Sequence, residues 1–185
     1  MRIILFFLVS SMLLSGCVRH TIGSSLKTTD QHVSGQKLQR VLIMGGGSMP
    51  TRIFLEELSN ELKKLFQTSD IQTETLIIDS YSKGDSINYD RFDAFLVFNS
   101  TTTAKLNMTR LKFTLVFVDA ADSYGSRFVQ TFQTTLYQKD EWLKLVWEGN
   151  LKVDVDLTKR AQYKEAAKLI YTELHKKSII TGPVK

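Results

Sequence analysis

The chain of 185 residues is short of three residue types that usually organise a small secreted or metal-binding protein: one cysteine, two prolines and three histidines. One cysteine excludes an intrachain disulfide framework and a multi-cysteine zinc site. With His20 and His32 in a polar N-terminal stretch, only His175 remains for the rest of the chain, too little for a histidine metal centre or a serine-hydrolase base. No apolar run reaches the roughly 20 residues that a transmembrane helix needs. Charge of one sign is also scarce where it would matter. The net charge is +5, but residues 40–185 carry 20 basic and 18 acidic side chains, so most of the excess lies upstream. A nucleic-acid-binding domain needs a concentrated basic face, and this balance argues against one.

What is present begins with an address. Met1-Arg2 is followed by Ile3–Leu14, a stretch in which only Ser10 and Ser11 are polar. Its length and its basic start fit a secretory signal peptide over residues 1–16. The run ends in Leu14-Ser15-Gly16-Cys17, which resembles the lipobox of bacterial lipoproteins. The resemblance implies cleavage before Cys17, a diacylglyceryl group on its thiol and an acyl chain on its freed amine. Several chains on one residue meet the requirement that stable anchoring takes more than one. An aspartate after the cysteine commonly signals inner-membrane retention in such proteins. Val18 stands there, so for a Gram-negative source the resemblance implies an outer-membrane anchor with the domain facing the periplasm.

Residues 17–39 read as the lipidated cysteine and a flexible tether, polar and without a sustained period, reaching about 25 Å as random coil. Its cations, close to lipid, suit anionic headgroups. Residues 40–185 then read as one domain. Arg40–Met44 is a short apolar run suited to a buried strand. Gly45-Gly46-Gly47-Ser48 breaks it, and Met49-Pro50 opens a helix with Ser48 as N-cap and Pro50 tolerated in the first turn. Phe54, Leu58, Leu62 and Leu65, widened by Leu55 and Phe66, form its apolar stripe, while Glu56, Glu57, Glu61, Lys63 and Lys64 are expected on the solvent face. Strands are expected at 73–79, 93–99 and 111–119. Alternation places Phe128, Gln130, Phe132, Thr134 and Leu136 on one side of a further strand. Lys139-Asp140-Glu141 reads as a turn, and Leu143, Leu145 and Trp147 alternate beyond it. A bulge or bend is expected at Glu148-Gly149-Asn150 before Leu151, Val153 and Val155 resume. A helix over about 158–177 closes the domain, with Tyr163, Ala166, Ala167, Ile170 and Leu174 inward. The fold class is α/β: a sandwich of a mixed, largely antiparallel sheet with an early and a C-terminal amphipathic helix.

The segment Leu145-Val146-Trp147-Glu148-Gly149, followed by a further strand and a terminal helix, resembles small envelope lipoprotein domains. These are domains related to the curli-secretion lipoprotein and to lipoprotein activators of peptidoglycan synthases. The resemblance spans the pattern of elements from Arg40 to Ile180 and implies an α/β fold and a binding role.

Among candidate sites, the Gly45-Gly46-Gly47-Ser48 turn is the most suggestive, because amides between a strand and a helix can cradle an anion. It matches neither G-x-G-x-x-G nor G-x-x-x-x-G-K-[ST], and a plain tight turn is the simpler reading. Arg160, Lys164 and Lys168 recur every four residues and form a basic stripe on the last helix, either a solvated face or a surface for lipid phosphate, glycan or an acidic partner. Asp119 and Asp122 are a candidate carboxylate pair or two turn residues. Asp154 and Asp156 should share an exposed strand face. Ser100-Thr101-Thr102-Thr103 follows the most apolar strand and reads as loop or crevice lining. Trp142 and Trp147 should face opposite sides of their strand, one in the core and one free to anchor a partner. No catalytic set, metal site or cofactor site emerges. The expectation is a non-catalytic, lipid-anchored bacterial envelope protein that binds a protein partner. The alternatives are a small anionic-ligand module at Gly45–Ser48, or an enzyme with an unrecognised carboxylate site.

Overall fold

The computed structural model describes residues 23–29, 37–78, 88–100, 107–109, 112–114, 122–139 and 143–182. Strand β1 (Gly23–Thr29) precedes β2 (Arg40–Gly46), helix α1 (Met49–Gln67), β3 (Gln72–Ile78), a 3₁₀ turn at Tyr89–Arg91 and β4 (Ala94–Ser100). The short strands β5 (Asn107–Thr109), β6 (Lys112–Thr114) and β7 (Asp122–Tyr124) lead to the long strands β8 (Arg127–Lys139) and β9 (Leu143–Asp156), and α2 (Arg160–Lys176) follows. The main sheet runs β1-β9-β8-β4-β2-β3, with β7 beside the start of β8, while β5 and β6 pair separately. Strands β4, β2 and β3 are parallel, and every other pairing is antiparallel. The expected α/β sandwich with a mixed sheet, an early helix and a late one is the architecture found.

Both helices lie on one face of the sheet. Their stripes, Phe54, Leu55, Leu58, Leu62 and Phe66 from α1 and Tyr163, Ala166, Ala167, Ile170 and Leu174 from α2, join the inward side chains of the strands in one large core. Alternate residues of the central strands supply a second, smaller core on the other face: Leu42, Met44, Phe95 and Val97, closed by Phe92. Covering on both faces explains why β2 and β4 read as unbroken apolar runs. In β8, by contrast, Phe128, Gln130, Phe132, Thr134 and Leu136 are buried in alternation, as the pattern requires.

Three local expectations need correction, and a fourth is only partly described. The polar stretch placed in the tether contains β1, whose seven residues pair with β9 from Gly23 opposite Asp154 to Thr29 opposite Glu148. Leu26 is its only large apolar residue, so the ladder is made by backbone groups, which side-chain periodicity does not record. The strand expected at 111–119 is described only as Lys112–Thr114, in the small separate sheet, and its remainder lies outside the described residues. The bend expected at Glu148–Asn150 falls earlier. Leu136 faces Trp147 and Tyr137 faces Leu145, so Val146 is the extra residue of a bulge and β9 continues unbroken through Gly149. Finally, Glu61 is buried rather than on the solvent face of α1, because α2 packs alongside it. The turn expected at Lys139-Asp140-Glu141 lies mostly outside the described residues.

Candidate functional site

Cys17 and its lipobox lie outside the described residues, as do Asp119, Thr101, Thr102, Thr103 and Trp142. Asp122 lies in β7. The Gly45–Ser48 turn with Ser100, and the Arg160, Lys164 and Lys168 stripe, fall at two places in the fold.

The first is the turn from β2 into α1, at the carboxyl end of the parallel strands. Gly45 and Gly46 belong to β2, paired with Ile77 and Ile78 of β3, and Gly45 also pairs with Phe98 of β4. A Cβ on Gly45 would stand 2.7 Å from Leu55 Cδ1 and 3.4 Å from Phe98 Cβ. The glycine therefore lets α1 approach the sheet, which is a packing requirement. Gly47 has a φ of 146°, a conformation that favours glycine. Ser48 is the N-cap by backbone geometry, its carbonyl accepting from the Arg52 amide at 2.9 Å, but its hydroxyl makes no capping bond. That hydroxyl lies 3.3 Å from Thr51 Oγ1 instead. Nearby, Gln130 Nε2 donates to Ser100 Oγ at 2.5 Å, both side chains being buried. Ser100 thus belongs to the interior rather than to an open crevice.

The second place is the outer face of α2, and here the structure divides the predicted basic stripe. Arg160 turns toward α1, its Nε 3.1 Å from Glu61 Oε1, while Lys64 Nζ donates to the same oxygen at 2.6 Å. The Lys64 hydrogen bond, aided by Arg160, holds the Glu61 carboxyl below the usual range against the opposing effect of burial. Lys164 and Lys168 instead line a groove of about 490 Å³ between α2 and the edge strand β1. Leu26, Ala161 and Leu169 give it an apolar lining, and Glu173 and Lys176 close one end. Thr28 Oγ1 donates to Glu173 Oε1 at 3.1 Å, and Lys176 Nζ stands 3.6 Å from Glu173 Oε2, so that end is braced. Glu165 and Thr172 also line the groove, so it carries both signs of charge and can accept an extended chain or an anionic surface along its lysines. The sequence reading missed it because the groove depends on β1.

The remaining candidates are structural. Asp154 accepts two hydrogen bonds from Arg127 across the β8–β9 pair, at 2.8 and 2.6 Å. Asp156 accepts from the amide and hydroxyl of Thr158, at 3.0 and 2.7 Å, and these bonds lower its carboxyl. Trp147 is buried beside Gly149 and Leu26. A ring nitrogen of His175 is 2.6 Å from the Gly182 carbonyl. No cluster of three or more metal-ligating side chains is found among the described residues, and no helix there is long and apolar enough to cross a membrane.

No family model matches the sequence, and no curated protein matches it. Solved structures similar to the chain include two PelC dodecamers from Paraburkholderia phytofirmans, one of them a point variant. The variant is 8% identical with a TM-score of 0.44, the alignment covering 82% of this chain and 94% of that one. The other is 8% identical with a TM-score of 0.43, covering 80% and 95%.

Proposed function

We propose that this protein is a lipid-anchored component of the bacterial cell envelope whose α/β domain serves as a non-catalytic binding module for a protein partner. The single observation that carries the reading is the order of the N-terminus: a basic start, an apolar run of signal-peptide length, and Leu14-Ser15-Gly16 before the only cysteine of the chain. The anchor is the acylated Cys17, and with Val18 following it the outer membrane is the destination in a Gram-negative cell. The domain's surface supports binding rather than turnover. Asp154 and Asp156 are engaged in an ion pair and a turn, and Lys164, Lys168 and Lys176 line an open groove beside β1, an edge strand among the described residues, the kind of surface that accepts an extended partner segment.

Mass spectrometry of the protein purified from membranes tests the anchor. The expected N-terminus is Cys17 carrying acyl chains, and Cys17→Ala should move the protein to the soluble fraction. An unmodified Cys17 in membrane-free mature protein overturns the anchor. Crosslinking in cells tests the binding role. A specific protein partner, lost when Lys164 and Lys168 are changed to glutamate, supports it; substrate turnover by the purified domain overturns it.

A further inference from the structure

The length of the anchor segment, with Gly23 already paired in β1, decides which end of the domain meets the membrane. Only five residues, Val18–Ile22, separate Cys17 from Gly23. Six Cα–Cα steps span at most about 20 Å even when fully extended. Gly23 pairs with Asp154, which pairs in turn with Val129. The opposite end of β9, at Leu143, is about 35 Å further along the strand and out of the anchor's range.

The same end carries an apolar patch that is exposed among the described residues. Among the described residues, Met49 (61% exposed) and Ile53 (36%) are the exposed large hydrophobic side chains, and they occupy one turn of one helix. That turn begins α1, on the side of the molecule where Phe54 stacks on Phe128 at 5.3 Å, next to Val129 in β8. The turn follows directly on the end of β2, four strand spacings or about 20 Å across the sheet from β1, so the patch and Gly23 share one end of the sheet. Arg52 lies between the two side chains, with Nη2 3.5 Å from Met49 Sδ. Exposed Lys159 stands at the start of α2 at the same end, because α2 starts just beyond Asp156. Exposed Glu56, one turn after Ile53, marks where the patch stops.

The geometry points to a lipid surface as the occupant: the first turn of α1 is a second membrane contact, with Met49 and Ile53 entering the headgroup–acyl boundary while Arg52 and Lys159 meet anionic headgroups. Two apolar side chains beside cations are the composition of an interfacial contact, too weak to bind alone but effective when an acyl anchor already holds them at the surface. The consequence is a fixed orientation in which the α1 start and the end of the sheet near Gly23 face the bilayer and the opposite end projects away. This inference rests on the proposed acylation of Cys17.

The test uses the full-length lipidated protein in vesicles of phosphatidylethanolamine and phosphatidylglycerol at about 3:1. Acylation occupies the native thiol, so Ile53→Cys and, at the far end, Lys144→Cys each offer one site for an environment-sensitive dye. A dye at position 53 should shift to the blue and be quenched by nitroxide-bearing lipids about threefold or more over one at position 144. Vesicle-bound, acylated protein with equal quenching at both positions overturns the orientation and leaves the anchor standing. A blue shift at 53 without quenching by the lipid probe means that protein covers the patch, and also overturns it. Protein that fails to associate with vesicles and has an unmodified Cys17 removes both the anchor and this inference.

Discussion

The two halves of the sheet are built by different rules. On one side, β4, β2 and β3 are parallel, short and joined through α1, and β2 and β4 are buried almost throughout. On the other, β8 and β9 run 13 and 14 residues, pair antiparallel and bury every second residue or so. The parallel half is closed on both faces and offers little side-chain surface of its own. The antiparallel half has one partly solvated face, an exposed helix α2 and an edge strand held almost entirely by backbone pairing. Solvent-facing side chains therefore concentrate where the sheet is least apolar, and closed packing where it is most so.

Phe54 is the joint between the halves, and removing it should have the largest effect. It belongs to α1, yet its ring stacks on Phe128 and Phe132 of β8 at 5.3 and 5.6 Å and meets Tyr163 of α2 at 5.7 Å. Phe54→Ala should lower stability by about 3–5 kcal/mol in urea denaturation. A loss below about 1 kcal/mol would mean that the halves do not share one core.

A matched pair of glycine substitutions compares the halves directly. A Cβ at Gly45 meets Leu55 at 2.7 Å in the parallel half; at Gly149 it meets Leu26 Cδ1 and the Trp147 ring at 3.0 Å in the antiparallel half. Both alanine variants should destabilise by about 1–3 kcal/mol through overpacking. Gly45→Ala should cost more, because Leu55 is fully buried while Leu26 is half-exposed and can yield. Equal thermal shifts would remove that distinction.

Legibility from sequence followed the same division. The runs Val41–Met44 and Ala94–Phe98 announced buried strands, and the stripes of α1 and α2 announced their inward faces, because burial of side chains is what periodicity records. Strand β1 did not show, since Gly-Ser-Ser-Leu-Lys-Thr-Thr carries no alternation and owes its place to the β9 backbone. With β1 went the groove, and so the reason why Lys164 and Lys168 part company with Arg160. Glu61 was misplaced for a related reason: its position on the α1 wheel is polar, and only the neighbouring helix makes it interior. The turn read at Gly45–Ser48 is shorter than expected, since β2 runs through Gly46 and only Gly47 and Ser48 separate it from α1; the packing role of Gly45 depends on contacts with Leu55 and Phe98 that are distant in sequence.

Hydrogen exchange should separate the edge from the centre. Amides of β1 lie at the rim of the sheet with one large apolar side chain among seven residues, and should exchange through local opening. Amides of β2 and β4, buried and paired on both sides, should exchange only with global unfolding. The difference should be about 2 kcal/mol or more in opening free energy. Equal protection would show that β1 is integral to the cooperative core.

The smallest expected effect lies at the contact between the two helices and is a function of pH. Glu61, held by Lys64 and Arg160, has a carboxyl pKa lowered in the folded state, so the native protein binds that proton less readily than the unfolded chain. Its contribution is present above the unfolded carboxylate range and is lost as pH falls through the folded value. Both cations remain largely solvated, with side chains 51% and 75% exposed, so the contribution is about 0.5–1 kcal/mol rather than that of a fully buried pair. Glu61→Gln should therefore lie below the parent in stability at neutral pH and converge with it as the solution is acidified. If the gap stays constant with pH, Glu61 acts through shape and neutral hydrogen bonding; if it widens on acidification, the carboxyl is stabilised in its protonated form and the helix–helix contact is not ionic. Convergence alone identifies the ion pair as the tie between the α1 that closes the parallel half and the α2 that borders the groove.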